Sequence, residues 1–365
     1  MRVAAQSAAH LSSTLHPQPC FLVAKKKTES KSSDAELNLT LLRSMLLQRR
    51  FEERCAEAYA LGKIGGFCHL YIGQEAVSTG SLSVLRSDDY VITTYRDHGQ
   101  ALARGMNPRN IMAELFGRID GVARGKGGSM HMFDKSLNFL GGHGIVGAHV
   151  PLATGVGFAI KYRGGDQVCV CFMGESVVNT GAFHEALNMA GLWKLPVVYV
   201  IENNRYGMGT ALERASAIHD IYERGASYNI PRAVCDGQDV FAVRESMQEA
   251  VDRARTESEP TLLEVRTYRF MGHSMSDAVS GTYRTKAELD EYMKRDPIVL
   301  LRMHMHEQGE MTDDDLHKLD EEMKAVAQDA WDFADKSPEP PLEALYEDVL
   351  VDTTSDATAE AVAAD

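Results

Sequence analysis

Apolar residues recur with two rhythms along this chain. In the first, Leu41, Leu42, Met45, Leu46, Phe51 and Cys55 fall three or four apart among charged residues, which predicts a long helix over 38–61. The same spacing predicts a helix over 239–257 (DVFAVRESMQEAVDRARTE) and helical structure with charged surfaces over 286–334. PLATGVGFAIKYR at 151–163 reads as a helix opening on proline, whose missing N–H costs nothing there. In the second rhythm the apolar residues run on without a break. YVITTY (90–95), DQVCVCFM (166–173), LPVVYVIE (195–202) and PTLLEVRTYRF (260–270) are of this kind. Strands apolar on both faces belong in the middle of a parallel sheet covered by helices on both sides. The alternation predicts an α/β fold, a doubly wound and mainly parallel sheet in one domain over 36–350, with ligands at the carboxyl ends of the strands. The flanks at 1–35 and 351–365 are small and polar and read as disordered tails.

Charge narrows the function. The net charge of −14 excludes nucleic acid and an anionic membrane surface as partners. No apolar run of 18 residues is present, so nothing in the sequence spans a membrane. The six cysteines lack metal-ligand spacing and read as reduced thiols, which points to a cytoplasmic protein of bacterial type. The first acidic residue is Glu29, and Ser and Ala are frequent before it. A transit peptide into a mitochondrial matrix is therefore the alternative, although it would carry more arginine than Arg2 alone.

The chemistry concentrates in CFMGESVVNTGAFHEALNMAGLWKLPVVYVIENNRYGMGT (171–210). It reads as strand, turn, helix, strand, a single βαβ unit of the usual length of about 30 residues. Neighbouring parallel strands lie about 4.8 Å apart, so Glu175 after the first and Asn204 after the second converge. A carboxylate with an amide oxygen is an oxygen-only set suited to Mg²⁺, and the turn amides and the helix start near Thr180 would face phosphate. An ordinary βα turn with an exposed glutamate fits the same residues, and the pattern alone does not separate the two.

GES, 26 residues, then NN resembles the thiamine diphosphate motif GDG…NN. RRFEERCAEAYALGKIGGFCHLYIGQEA, YRDHG, GKGGSMHM, GIVGAHVPLATG, ALNMAGLWKLP, ENNRYGMGT, GHSMSD and PEPPLE extend the likeness, in order, over about 38–346. Together they resemble the alpha subunits of the thiamine-diphosphate-dependent 2-oxoacid dehydrogenases, the first component of the pyruvate dehydrogenase complex above all. The resemblance implies the thiamine diphosphate-binding fold and Mg²⁺ held by Glu175, Asn204 and the Tyr206 carbonyl. It implies a diphosphate clamp of Tyr95, Arg96 and Arg269, with Gly174 and the Ser176 and Val177 amides beside it. Gly144 and Val146 become backbone contacts at the aminopyrimidine end. His69, His98 and His273 become catalytic histidines lining the channel, with His273 also on the phosphate. Ser274, in the Ser/Gly-rich segment 272–285, falls where mitochondrial relatives are phosphorylated.

The resemblance further implies a beta subunit that contributes the glutamate activating the cofactor, an α₂β₂ heterotetramer and a lipoyl-bearing acetyltransferase core. The reaction implied is oxidative decarboxylation of pyruvate with reductive acetylation of a lipoyl group. Alternatives are an acetoin or branched-chain 2-oxoacid dehydrogenase alpha subunit, since GAFHEALNMA is acetoin-like, or a non-catalytic paralogue. Four positions depart from the pyruvate pattern: Glu175 replaces Asp, Ser176 replaces Gly, Thr180 stands for Gln and Met271 for His. If residue 176 required a left-handed backbone, Ser would cost about 1 kcal/mol there. GHGIVG (142–147) matches a dinucleotide fingerprint, but no strand is predicted before it. GVARGKGGS (121–129) lacks phosphate-loop spacing and reads as a flexible loop beside the channel.

Overall fold

Six parallel strands in the order β2-β1-β3-β4-β8-β7 form the centre of the computed structural model, which describes residues 31–349. The strands are β1 (Tyr90–Thr94), β2 (Phe139–His143), β3 (Cys169–Gly174), β4 (Val197–Asn203), β7 (Arg232–Asp236) and β8 (Thr261–Arg266). A separate two-residue hairpin pairs β5 (Tyr206–Gly207) with β6 (Thr210–Ala211). The helices are α1 (Lys31–Ala60), α2 (Glu75–Leu82), α3 (His98–Ala103), α4 (Pro108–Leu115), α5 (His149–Tyr162) and α6 (Gly181–Trp193). They continue as α7 (Leu212–Ala215), α8 (Val240–Glu257), α9 (Lys286–Met293), α10 (Pro297–Glu307) and α11 (Asp313–Lys336).

Side chains alternate across a strand, so a buried strand feeds two cores. Val170, Phe172, Val198, Val200, Leu263 and Val265 pack with α1, α2, α3, α4, α8 and α11 on one face. Cys169, Cys171, Met173, Val197, Tyr199 and Ile201 pack with α5 and α6 on the other. The unbroken apolar runs are thus the central strands of a doubly wound sheet. No described helix is long and apolar enough to cross a membrane. The five described cysteines are unpaired thiols.

Two strands escape the apolar pattern, β2 and β7, the two edges of the sheet. β2 carries Gly141 and Gly142, and β7 is partly exposed along its length, so neither needs apolar residues on both faces. A strand therefore does precede GHGIVG. α1 begins at Lys31, so 31–35 are helical and not part of a tail. The tails expected at 1–30 and 350–365 lie outside the described residues.

From β1 the chain moves outward to β2, and from β3 it moves the other way to β4. The carboxyl ends of β1 and β3 therefore flank a topological switch point, where a crevice opens in such sheets.

Candidate active site

A cavity of about 620 Å³ lies at that switch point. Its wall collects the segments that follow five strands. Tyr95 and Arg96 come from the end of β1, Gly144 and Val146 from β2, and Gly174, Glu175, Ser176 and Val177 from β3. Asn204 and Tyr206 follow β4, and Arg269, His273 and Ser274 follow β8. His69 enters from the loop between α1 and α2. Gly174 pairs with Glu202 across β3 and β4, which sets Glu175 beside the end of β4.

Glu175 is 3% exposed, and its Oε1 has no hydrogen-bond partner. A buried carboxylate oxygen without a partner costs about 1–3 kcal/mol or more, and a cation removes that cost. Burial pushes its pKa up, against the pull of the Asn204 backbone amide and the Arg269 and Arg96 charges. An ordinary turn with an exposed glutamate is therefore not what the chain forms. Asn204 donates from Nδ2 to Gln74 Oε1 at 3.1 Å, while its Oδ1 accepts from the Tyr206 N–H at 3.3 Å. A carboxylate, an amide oxygen and a carbonyl form a hard, oxygen-only donor set, which fits Mg²⁺.

The opposite charge lies alongside. Arg96 donates to the carbonyls of Leu70 at 2.6 Å and His273 at 2.7 Å. Arg269, 1% exposed, reaches only the carbonyls of Met271, Tyr206 and Met208, at 3.3, 3.4 and 3.5 Å. Neither guanidinium has a carboxylate partner. Burial, with repulsion from Arg269, lowers the Arg96 pKa to about 10. Two buried cations held only by carbonyls form a cradle for an anion, and a diphosphate matches it in charge and shape. The loop after β8 is stapled shut by Arg284, which donates to the carbonyls of Val279 (2.8 Å), Arg269 (2.5 Å) and Met271. Ser274 is 6% exposed, and its Oγ pairs with Ser276 Oγ at 2.8 Å.

His69, Tyr95 and His273 form an aromatic triangle, with ring centroids 4.6, 5.1 and 5.9 Å apart. Burial and the nearby Arg96 hold the His69 pKa down at about 2 and the His273 pKa at about 4. Both rings are neutral at neutral pH. His98 is a correction: it is fully buried and does not line the cavity. Its Nδ1 faces the Glu52 carboxylate at 3.1 Å and its Nε2 faces Ser129 Oγ at 2.9 Å. Its position at the start of α3 turns its ring beneath the surface layer, where it braces Ser129 instead of meeting ligand.

Ser176 sits within the 3₁₀ turn Glu175–Asn179, and it is not among the residues with positive φ. Serine therefore adds no backbone strain. Space for its side chain is left by Gly207, where a Cβ would lie 1.9 Å from Ser176 Oγ. Thr180 caps α6, its Oγ1 accepting from the Phe183 N–H at 3.4 Å.

Three buried polar residues of the wall, Gln74, Thr94 and Glu202, were missed in the sequence. Gln74 is 1% exposed, and Glu202 is 4% exposed with its pKa raised by burial to about 7. Glu202 is bonded to Tyr71 Oη and, at 2.9 Å, to Gln100 Nε2. A charged residue closing a wholly apolar strand was the signal for Glu202; Gln74 offered none. The loop GVARGKGGS is not a phosphate site. The buried carboxylate of Glu114 fills it, accepting from the amides of Ala123, Gly125, Gly127 and Gly128 at 2.7–3.0 Å.

Comparison with known proteins agrees with this geometry. Residues 43–343 match the family model described as dehydrogenase E1 component. The pyruvate dehydrogenase E1 component subunit alpha of Rhizobium meliloti (strain 1021) is 47% identical over 348 residues, covering 92% of this chain and 99% of that one. The subunit of that name from Zymomonas mobilis is 48% identical over 321 residues, covering 87% and 90%. The chloroplastic subunit alpha-3 of Oryza sativa is 45% identical over 323 residues, covering 86% and 76%. With a parallel sheet whose switch point gathers a buried carboxylate with an unpartnered oxygen and two carboxylate-free guanidiniums, and with a match across most of its length, the chain belongs to the dehydrogenase E1 component family.

Proposed function

We propose that this chain is the alpha subunit of a pyruvate dehydrogenase, binding Mg²⁺-thiamine diphosphate in the cavity at the switch point. The observation that carries this is the unpartnered, buried Glu175 carboxylate beside Arg96 and Arg269. Glu175, Asn204 Oδ1 and the Tyr206 carbonyl would hold the cation. Arg96, Arg269, Tyr95 and the amides of Ser176 and Val177 would hold the diphosphate, and Gly144 and Val146 would meet the aminopyrimidine end. When bound, thiamine diphosphate supplies the carbon nucleophile and the electron sink for decarboxylation.

The chain's own residues supply binding and orientation. Arg96 and Arg269 neutralise the diphosphate and fix its position. His69 and His273, kept neutral by their surroundings, each present one N–H to a phosphate or carboxylate oxygen without adding charge. The Arg284 staple holds the loop after β8 against one side of the cavity, where it would limit water once the cofactor is bound. The relatives are named as the alpha subunit of an E1 component, which supports a partner subunit and further components of a complex; a beta subunit in an α₂β₂ assembly and transfer of acetyl to a lipoyl-bearing core complete this reading. Residues 31–349 act as one domain in this reading, and the bacterial relatives favour a bacterial cytoplasm. The unstrained Ser176 backbone gives no ground for a non-catalytic paralogue.

The test is oxidative turnover by the chain co-expressed with its beta subunit, read by reduction of an artificial electron acceptor, on pyruvate, on acetoin (which is cleaved without loss of CO₂) and on 3-methyl-2-oxobutanoate. Preference for pyruvate supports the proposal. Preference for either of the others moves the chain to a sister enzyme.

A further inference from the structure

Asn204 can meet a cation in two ways. An amide presents an acceptor oxygen on one side and two N–H donors on the other, and only the oxygen binds Mg²⁺. Rotation by half a turn about its terminal bond exchanges them. The exchange is opposed at both ends. Nδ2 donates to Gln74 Oε1 at 3.1 Å, and Oδ1 accepts the Tyr206 N–H at 3.3 Å. The Tyr206 bond is local, two residues away. Gln74 lies 130 residues earlier in the chain and is itself 1% exposed.

The turn that carries Gln74 is rigid. The Gln74 N–H donates to the Tyr71 carbonyl at 3.0 Å, and its own carbonyl accepts from Val77 at 2.9 Å as α2 begins. On one side, Gly73 has φ +99°, and a Cβ there would lie 2.5 Å from the Tyr268 carbonyl. On the other, Glu75 binds the Gly73 amide at 3.0 Å and Arg49 Nε at 2.6 Å. Few side chains are aimed from so fixed a backbone, and this one is aimed at the amide after β4.

We propose that Gln74 is a positioning residue: its Oε1 locks the Asn204 amide with the oxygen turned toward the cation. The proposal rests on the reading of Asn204 as a Mg²⁺ ligand given above. Groups that orient a metal ligand commonly change metal affinity by about 10–100-fold when removed. Gln74 acts through Asn204, so its loss changes cation affinity and leaves kcat largely recoverable at high Mg²⁺.

The experiment uses the chain co-purified with its beta subunit, with Mn²⁺ as the probe, read by electron paramagnetic resonance at saturating thiamine diphosphate. Gln74→Leu is expected to weaken Mn²⁺ binding about 10–100-fold, and Gln74→Glu, which keeps the acceptor, to stay within about 3-fold of wild type. In an Asn204→Asp background the Gln74→Leu change is expected to cost less than about 2-fold, because a carboxylate has no wrong end. Melting midpoints establish that each variant is folded, with Gln74→Met standing in should Gln74→Leu not fold. Wild-type affinity in Gln74→Leu overturns the proposal. So does an equal loss in both backgrounds, which would mark Gln74 as packing only. Failure of the wild-type pair to bind Mn²⁺ would instead bring down the Mg²⁺ reading of the site, and this proposal with it.

Discussion

Replacing Arg269 by methionine should stabilise the chain without cofactor and cripple cofactor binding. Arg269 is buried, and its three carbonyl bonds of 3.3–3.5 Å are near the outer limit for hydrogen bonds. It also raises the cost of its neighbour. Arg96 is depressed from 12.5 to about 10, first by burial and then by Arg269. That depression amounts to about 3 kcal/mol of destabilised charge. Removing Arg269 relieves part of that cost, and methionine fills a similar volume without a charge to desolvate. Each 1 kcal/mol gained raises the melting midpoint of a chain this size by about 1 °C. The opposite holds once a diphosphate is present. Losing the guanidinium removes charge-assisted bonds to a buried anion, about 3 kcal/mol, or roughly 150-fold in affinity. Calorimetric titration of Mg²⁺-thiamine diphosphate into the Arg269→Met and wild-type pairs, with melting curves of both without cofactor, measures the two effects. A variant that binds within 3-fold of wild type, or that melts several degrees lower without cofactor, would refute the reasoning.

His69 and His273, the two depressed histidines of the cavity wall, should each make the cofactor-free chain more sensitive to acid. Unfolded, His69 and His273 titrate near 6.5; folded, they stay neutral down to about 2 and about 4. The unfolded state therefore binds more protons below pH 6.5, and stability falls as the pH falls through that window, by about 2 kcal/mol for each histidine at pH 5. Denaturant titrations at pH 7 and pH 5 should show His69→Gln losing about 2 kcal/mol less stability between the two than wild type loses; an equal loss contradicts the burial account. Glu114→Ala leaves four loop amides without their acceptor, so the loop 121–129 should open. Trypsin should then cleave at Arg124 or Lys126 at least about 10-fold faster than in wild type, in keeping with a loss of more than 1.4 kcal/mol of local stability. Ser274→Glu places a carboxylate in the cavity wall against the anion, so thiamine diphosphate affinity should fall by about 10-fold or more while Ser274→Ala stays near wild type, both by calorimetry.

Much of the fold could be read in the sequence because β1, β3, β4 and β8 are interior strands whose two apolar faces leave no other assignment. β2 and β7 were invisible for the same physical reason, since an edge strand needs neither a continuous apolar run nor bulky residues. In the site, spacing brought Glu175 and Asn204 together, because two adjacent parallel strands must bring their ends together, while the resemblance favoured a cation site over an ordinary turn. The segments YRDHG, GIVGAHVPLATG, ENNRYGMGT and GHSMSD placed most of the remaining wall residues through resemblance. His98 shows the limit of that route. A histidine in YRDHG looks like its neighbours Tyr95 and Arg96, yet the first turn of α3 carries it away from the cavity and onto Glu52. Gln74 was equally hidden. Its importance lies in one bond to a residue 130 positions on, a relation that no local pattern records.

The central claim is that Glu175 opens a cation site between a diphosphate and the sheet. Its most direct test is calorimetric binding of thiamine diphosphate to the chain with its beta subunit, with and without Mg²⁺, in wild type and in Glu175→Ala. The account expects tight binding that requires Mg²⁺ in wild type and falls by more than about 100-fold in the variant, since even residues that merely orient a ligand cost up to that much. Binding that ignores Mg²⁺, or that survives the loss of the Glu175 carboxylate, would contradict it.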